Sequence, residues 1–151
     1  MTEHVTISKE VEFDAGHRVP SHASKCRNPH GHRYRVRVTC RGPIVNDPGA
    51  PDDGMLVDFG DLKALMTSLV HDPWDHAMLV HVEDDELADA LAGHGWRVVM
   101  FPYVPTAENM ARHIWEVLDG PIAERFRLGL MLERVDVWET PTSVATYRGG
   151  A

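Results

Sequence analysis

Apolar and polar residues alternate most strictly where Tyr34, Val36 and Val38 interleave with Arg33, Arg35 and Arg37. That period of two predicts a strand with one buried and one charged face. Extending the parity backwards puts His30 and His32 on the apolar side, so both imidazoles project the same way from the strand's start. An earlier strand-like stretch runs from Val5 to Phe13 and leads into His17. Between the two lies a polar loop from Pro20 to Pro29. The stretch Gly42 to Gly54, with Pro43, Pro48 and Pro51 among several Asp and Gly, reads as a loop or hairpin excursion.

The period then changes to that of a helix. Asp58 can cap a helix from about Phe59 to Val70, whose inward face reads Leu62, Leu65, Met66, Leu69. A connector, Asp72-Pro73-Trp74-Asp75-His76, precedes a short helix near Asp84–Leu91. Trp96–Phe101 is a strand. Thr106 caps a second long helix with Ala107, Met110, Ala111, Ile114 and Leu118 inward, predicted to stop at Gly120-Pro121. Leu130–Thr140 is the last strand. The order β, β, α, short α, β, α, β predicts an α+β fold with a four-stranded antiparallel sheet and two main helices.

At 151 residues the chain is expected to be one domain, residues 1–151, with room for a sizeable core. Lys and Arg number 15 against 23 Asp and Glu, a net charge of −8 that argues against nucleic acid or an anionic membrane as a general partner. Arginines could still gather an anionic substrate locally, and Arg18, Arg27, Arg33, Arg35 and Arg37 all lie near the histidines in sequence. Two cysteines, and no signal-peptide pattern at Met1-Thr2-Glu3-His4, suggest free thiols in a reducing cytoplasm.

The candidate chemistry sits at the strand ends. Neutral imidazole is the usual ligand of catalytic zinc, and three protein ligands leave a position for substrate or water. His17 and the pair His30-Gly31-His32 supply three imidazoles, with Cys26 four residues before the pair. The plain alternative is that these are ordinary polar residues at strand ends. A rival ligand set, His22, Cys26 and His30, is spaced by four throughout. Cys40, inside a strand with no attendant histidine, reads as an inert buried thiol.

Six motifs carry a resemblance that covers nearly the whole chain. They are Phe13-Asp14-Ala15-Gly16-His17-Arg18, Cys26-Arg27-Asn28-Pro29-His30-Gly31-His32, Met55-Leu56-Val57-Asp58-Phe59, Asp75-His76, Pro105-Thr106-Ala107-Glu108-Asn109 and Glu139-Thr140. In this order they resemble the 6-pyruvoyltetrahydropterin synthase / 6-carboxytetrahydropterin synthase family of the tunnelling fold. The Cys-x-x-x-His-Gly-His spacing looks like the carboxy branch, which makes a queuosine and 7-deazapurine precursor.

The resemblance implies Zn2+ held by His17, His30 and His32, with Cys26 as general base and Asp75-His76 as the second proton-transfer pair. It implies that Glu139 accepts hydrogen bonds from the pterin's amino and ring N–H groups, and that Thr106 and Glu108 help hold the substrate across a subunit boundary. The bland readings are a helix cap for Thr106, first-turn charge for Glu108 and a solvated strand-end charge for Glu139. The implied substrate is 7,8-dihydroneopterin triphosphate, a small-molecule pterin. The implied assembly is a homohexamer, a dimer of trimers, with sheets joined edge to edge, helices on one side and active sites at interfaces. Other readings are a pyruvoyl synthase or pterin aldolase, and a zinc-stabilised binding module without catalysis. Residues 42–54 and 81–103 diverge from compact members of the family.

Overall fold

The computed structural model describes residues 3–150. Met1, Thr2 and Ala151, on which the N-terminal reading and the domain's outer limits partly rest, lie outside the described residues. The alternating segments become two long strands, β1 (His4–His17) and β2 (His30–Pro43), paired antiparallel in full register from His4↔Pro43 to His17↔His30. Phe13 opposes Tyr34, Ala15 opposes His32, and His17 opposes His30, so all six share the face that turns to the core. Gly31 sits between two of the histidines. A Cβ there would lie 3.1 Å from the Ala15 carbonyl oxygen, so glycine permits the close approach of β1 and β2.

After β2, the 42–54 excursion closes on itself, with the Val45 and Gly54 amides donating to Met55 and Val45 carbonyls. Arg127 pins it from outside through Asp47 and Asp52. α1 (Phe59–Met66) starts at Asp58, whose carboxylate accepts from the Gly60 amide. A π-helical stretch, Thr67–His71, widens the turn and α2 (Asp72–Trp74) completes the rod. β3 (Ala77–His81), α3 (Asp85–Leu91) and β4 (Val98–Phe101) follow, then α4 (Ala107–Arg125), β5 (Met131–Thr140) and β6 (Ser143–Tyr147).

The expectation of a four-stranded antiparallel sheet is corrected. The sheet has six strands in the order β4-β3-β1-β2-β5-β6, and it is mixed, because β3 runs parallel to both β1 and β4. β3 falls between the predicted connector at 72–76 and the short helix, where the sequence predicts no element: Ala77, Leu79 and Val80, all buried, form a short apolar run that periodicity cannot distinguish from a loop or helix fragment. β6 lies on a half-exposed edge, where a polar and apolar mixture is tolerated. The stop expected at Gly120-Pro121 also fails. α4 continues through Pro121 to Arg125, and Ile122 is buried in the core, which offsets the hydrogen bond that proline removes.

α1 and α4 cover one face. Leu62, Leu65 and Met66 from α1 and Met110, Ile114 and Leu118 from α4 join Phe13, Tyr34, Val36 and Val137 in one apolar cluster. The opposite face carries charge pairs: Arg33 with Glu12 and Asp14, Arg37 with Asp136, and Arg35 over the Trp138 ring at 4.1 Å. No helix among the described residues is long and apolar enough to cross a membrane.

Candidate active site

The core side of the sheet ends in histidine. His17 is the last residue of β1, 1% exposed, and its Nδ1 donates to the Pro105 carbonyl at 2.6 Å. His30 opens β2, and its Nδ1 donates to the Asn28 carbonyl at 2.7 Å. A carbonyl only accepts, so both Nδ1 atoms carry the proton and both Nε2 atoms present lone pairs. Those two Nε2 atoms face each other at 3.1 Å. His32 Nε2 is buried with no partner, and the ligand atoms of His17, His30 and His32 all lie within 4.8 Å of one another.

Two neutral lone pairs at that separation repel unless a cation lies between them. A tetrahedral ion with about 2.0–2.1 Å bonds to nitrogen sets its ligands roughly 3.3 Å apart, close to the observed spacing. The three imidazoles therefore fit a metal ion. Burial, the largest cause, lowers the His17 and His32 pKa values from the ordinary range, which keeps the rings neutral and ready to coordinate. The rival trio of His22, Cys26 and His30 forms no such group among the described residues. His22 Nδ1 instead accepts from the Ser24 amide.

Beside the histidines opens a cleft of about 250 Å³. His17, His22, Cys26, Thr106, Glu108 and Glu139 line it, so six of the residues singled out in sequence meet there. The loop bearing Cys26 is closed by the Val19 amide donating to the Cys26 carbonyl. Glu139 comes from the end of β5, with Oε1 3.5 Å from His17 Nε2 and 3.7 Å from His32 Nε2. Thr106 serves as the α4 cap, its hydroxyl accepting from the Asn109 amide, and Glu108 occupies the first turn. Cys26 is half-buried and Cys40 fully buried, and burial pushes the Cys40 thiol up to about 12.

Asp75 and His76 do not join that cleft. His76 lines a separate cavity of about 840 Å³ that Asp14, His32, Arg33, Met78 and Trp96 also line. His76 Nδ1 lies 2.9 Å from Asp75 Oδ2, as a proton-transfer pair requires. Asp14, which sequence reading passed over, organises the pair: its amide donates to Asp75 Oδ1 and its carbonyl accepts from the His76 amide. The Asp14 amide first, and His76 second, hold the Asp75 carboxyl below the usual carboxylate range. His76 has φ of 60°, a left-handed conformation uncommon outside glycine and found where surroundings enforce it. Of the arginines considered for an anionic substrate, Arg18 is bound to Asp84 and Arg33, Arg35 and Arg37 face acidic partners. Arg27 makes no ion pair among the described residues.

A family model, 6-pyruvoyl tetrahydropterin synthase, matches residues 6–150. A 6-carboxy-5,6,7,8-tetrahydropterin synthase of Haemophilus influenzae is 33% identical over 145 residues, 94% of this chain and 97% of its own. The human 6-pyruvoyl tetrahydrobiopterin synthase is 32% identical over 95% of this chain and 90% of its own. Among solved structures, the Caenorhabditis elegans 6-pyruvoyl tetrahydropterin synthase superposes with a TM-score of 0.70 at 27% identity, covering 99% of this chain and 98% of that one. The family-model match over residues 6–150 and the likeness to relatives over nearly their full length place this chain in the 6-pyruvoyl tetrahydropterin synthase family of enzymes.

Proposed function

We propose that the chain is a zinc-dependent lyase. It would convert 7,8-dihydroneopterin triphosphate and water to 6-carboxy-5,6,7,8-tetrahydropterin, inorganic triphosphate and acetaldehyde, on the way to queuosine or another 7-deazapurine. The observation that carries this reading is the convergence of three imidazole Nε2 atoms at the edge of the cleft holding Cys26 and Glu139. The Cys-x-x-x-His-Gly-His spacing and the carboxy-synthase relatives support the carboxy branch.

His17, His30 and His32 hold the ion, and zinc there would polarise the substrate's side-chain hydroxyls and acidify their neighbouring bonds. Cys26, as thiolate, takes a proton from the side chain. Glu139 accepts from the pterin's amino and ring N–H groups and so sets which side-chain carbon faces Cys26. Thr106 and Glu108 form part of the cleft's wall, and Arg27, exposed next to Cys26 in sequence, is the candidate for the triphosphate. His76, oriented by Asp75, returns a proton elsewhere on the substrate.

One chain holds the two halves in separate cavities. The Cys26 cleft reaches β6 through Ser143 and Val144, and the His76 cavity reaches β4 through Val98. β4 and β6 are the two edges of the sheet. Joining the β4 edge of one copy to the β6 edge of the next would set the halves side by side and cover both edges. This supports a homohexamer, a dimer of trimers, built from one catalytic domain per chain and closed around interfacial sites; the free thiols of Cys26 and Cys40 support a cytoplasmic setting.

The test is a mass-spectrometric product assay of zinc-loaded protein with 7,8-dihydroneopterin triphosphate. The expected products are 6-carboxytetrahydropterin and acetaldehyde, and Cys26→Ala should keep zinc and assembly while losing turnover. A 6-pyruvoyl product would transfer the chain to the other branch, which the human relative represents. Stoichiometric zinc without any turnover would leave the binding-module reading.

A further inference from the structure

Tyr34 is 0% exposed, its ring stacked on Phe13 at 5.6 Å. Its hydroxyl oxygen is buried and has no hydrogen-bond partner in the chain. Phenylalanine would make the same ring contacts without stranding a polar group, and a buried hydroxyl without a partner destabilises a fold. The hydroxyl therefore needs a partner from outside the polypeptide.

Its surroundings say where that partner sits. Tyr34 is two residues after His32 on the same face of β2, and its ring meets His32 edge-on at 5.6 Å and His17 at 5.9 Å. The β2–β5 pairing has Arg35 opposite Trp138, so the next position brings Tyr34 across from Glu139. The Glu139 charge is felt at the phenol. The Tyr34 ring thus packs against two of the three imidazoles, one strand position from the register that carries Glu139.

We infer that Tyr34 is a positioning residue whose hydroxyl donates a hydrogen bond to an oxygen atom bound between the histidines and Glu139. That oxygen is solvent in the resting enzyme and a substrate side-chain hydroxyl during turnover; the shared chemistry is an oxygen acceptor next to a cation. The inference rests on the metal reading proposed above.

Tyr34→Phe separates this from a packing role, because the two predict opposite signs in the metal-free protein. With its partner absent, the hydroxyl is a burden, and its removal should raise the metal-free melting temperature by about 2–4 °C. Zinc should still bind one ion per chain but raise the melting temperature less than in the wild type. Affinity for 7,8-dihydroneopterin, the probe lacking the triphosphate, should fall about tenfold by calorimetry. A lower metal-free melting temperature together with an unchanged zinc shift would show that the hydroxyl is satisfied within the fold, and would overturn the inference. So would unaltered dihydroneopterin affinity. A wild type that shows no zinc shift at all would overturn the metal reading and this inference together, whereas a normal wild-type shift with an identical variant overturns only the role of Tyr34.

Discussion

His17 is the most constrained residue of the site. It is buried, its Nδ1 proton is committed to the Pro105 carbonyl, and its Nε2 lone pair points at that of His30. His30→Ala or His32→Ala should each reduce bound zinc well below one ion per chain by atomic absorption, since two imidazoles retain a catalytic-type ion poorly. Stoichiometric metal in both variants would overturn the ligand assignment. The same burial sets a pH dependence. The folded pKa values of His17 and His32 lie below the ordinary 6.5. As pH falls through 6.5 the unfolded chain therefore takes up protons before the folded one, and stability falls with it, levelling off below the folded pKa. Thermal melts of the metal-free protein should decline over that interval, and zinc should be released over it as protons compete for the nitrogens. At this scale much was legible. Strand parity alone aligned His30, His32 and Tyr34, and the six motifs marked Cys26, Glu139 and Thr106 for the cleft that they share. Asp14 was missed because it points to the charged face, where parity reads only an exposed acid, and its role is played by backbone atoms that no residue pattern reveals.

Elements hold these residues through a few strong ties. Arg18 follows His17 and grips Asp84, with Nε donating to Oδ2 at 2.7 Å, while Asp84 also caps α3 by accepting from the Leu87 amide. Both side chains are largely buried, at 13% and 4% exposure. The Arg18 guanidinium holds the Asp84 carboxyl below the carboxylate range, so this tie is present at neutral pH and weakens only as pH falls through that depressed value. Asp84→Ala strands the arginine and removes the cap, and should cost about 3 kcal/mol in denaturant unfolding, whereas replacing an exposed acid such as Glu124 should cost less than about 0.5 kcal/mol. A loss in the Asp84 variant no larger than in the control would show the tie to be incidental. Element prediction succeeded where period was long and caps were plain, as at Asp58 and Thr106, each of which accepts a first-turn amide. It failed at Pro121 and at β3. In both, burial outweighs local preference: Ile122 is held in the core beyond the proline, and Leu79 gains its strand only by lying between β1 and β4.

Across the whole molecule the sheet leaves two edges, β4 and β6, each beside one half of the site. The proposed assembly makes a joint prediction. Val144, exposed on β6, is a point where a charge would oppose edge pairing without touching the core. Val144→Asp should yield monomers by light scattering, retain zinc and lose turnover by at least tenfold, because Cys26 and His76 would no longer meet. Turnover by a monomer would show that one chain completes its own site.

The sequence by itself determined the alternation of the long strands, the caps at Asp58 and Thr106, and the projection of His30 and His32 from a common face. These follow from contacts between near neighbours or from a period that one strand imposes on its own side chains. Only the tertiary structure decided that the sheet is six-stranded and mixed, that Glu139 closes on the histidines, and that His76 lines a different cavity from Cys26. Those outcomes depend on which distant segments lie side by side, and that choice is made by burial of the whole apolar surface at once, not by the preference of any single stretch of chain.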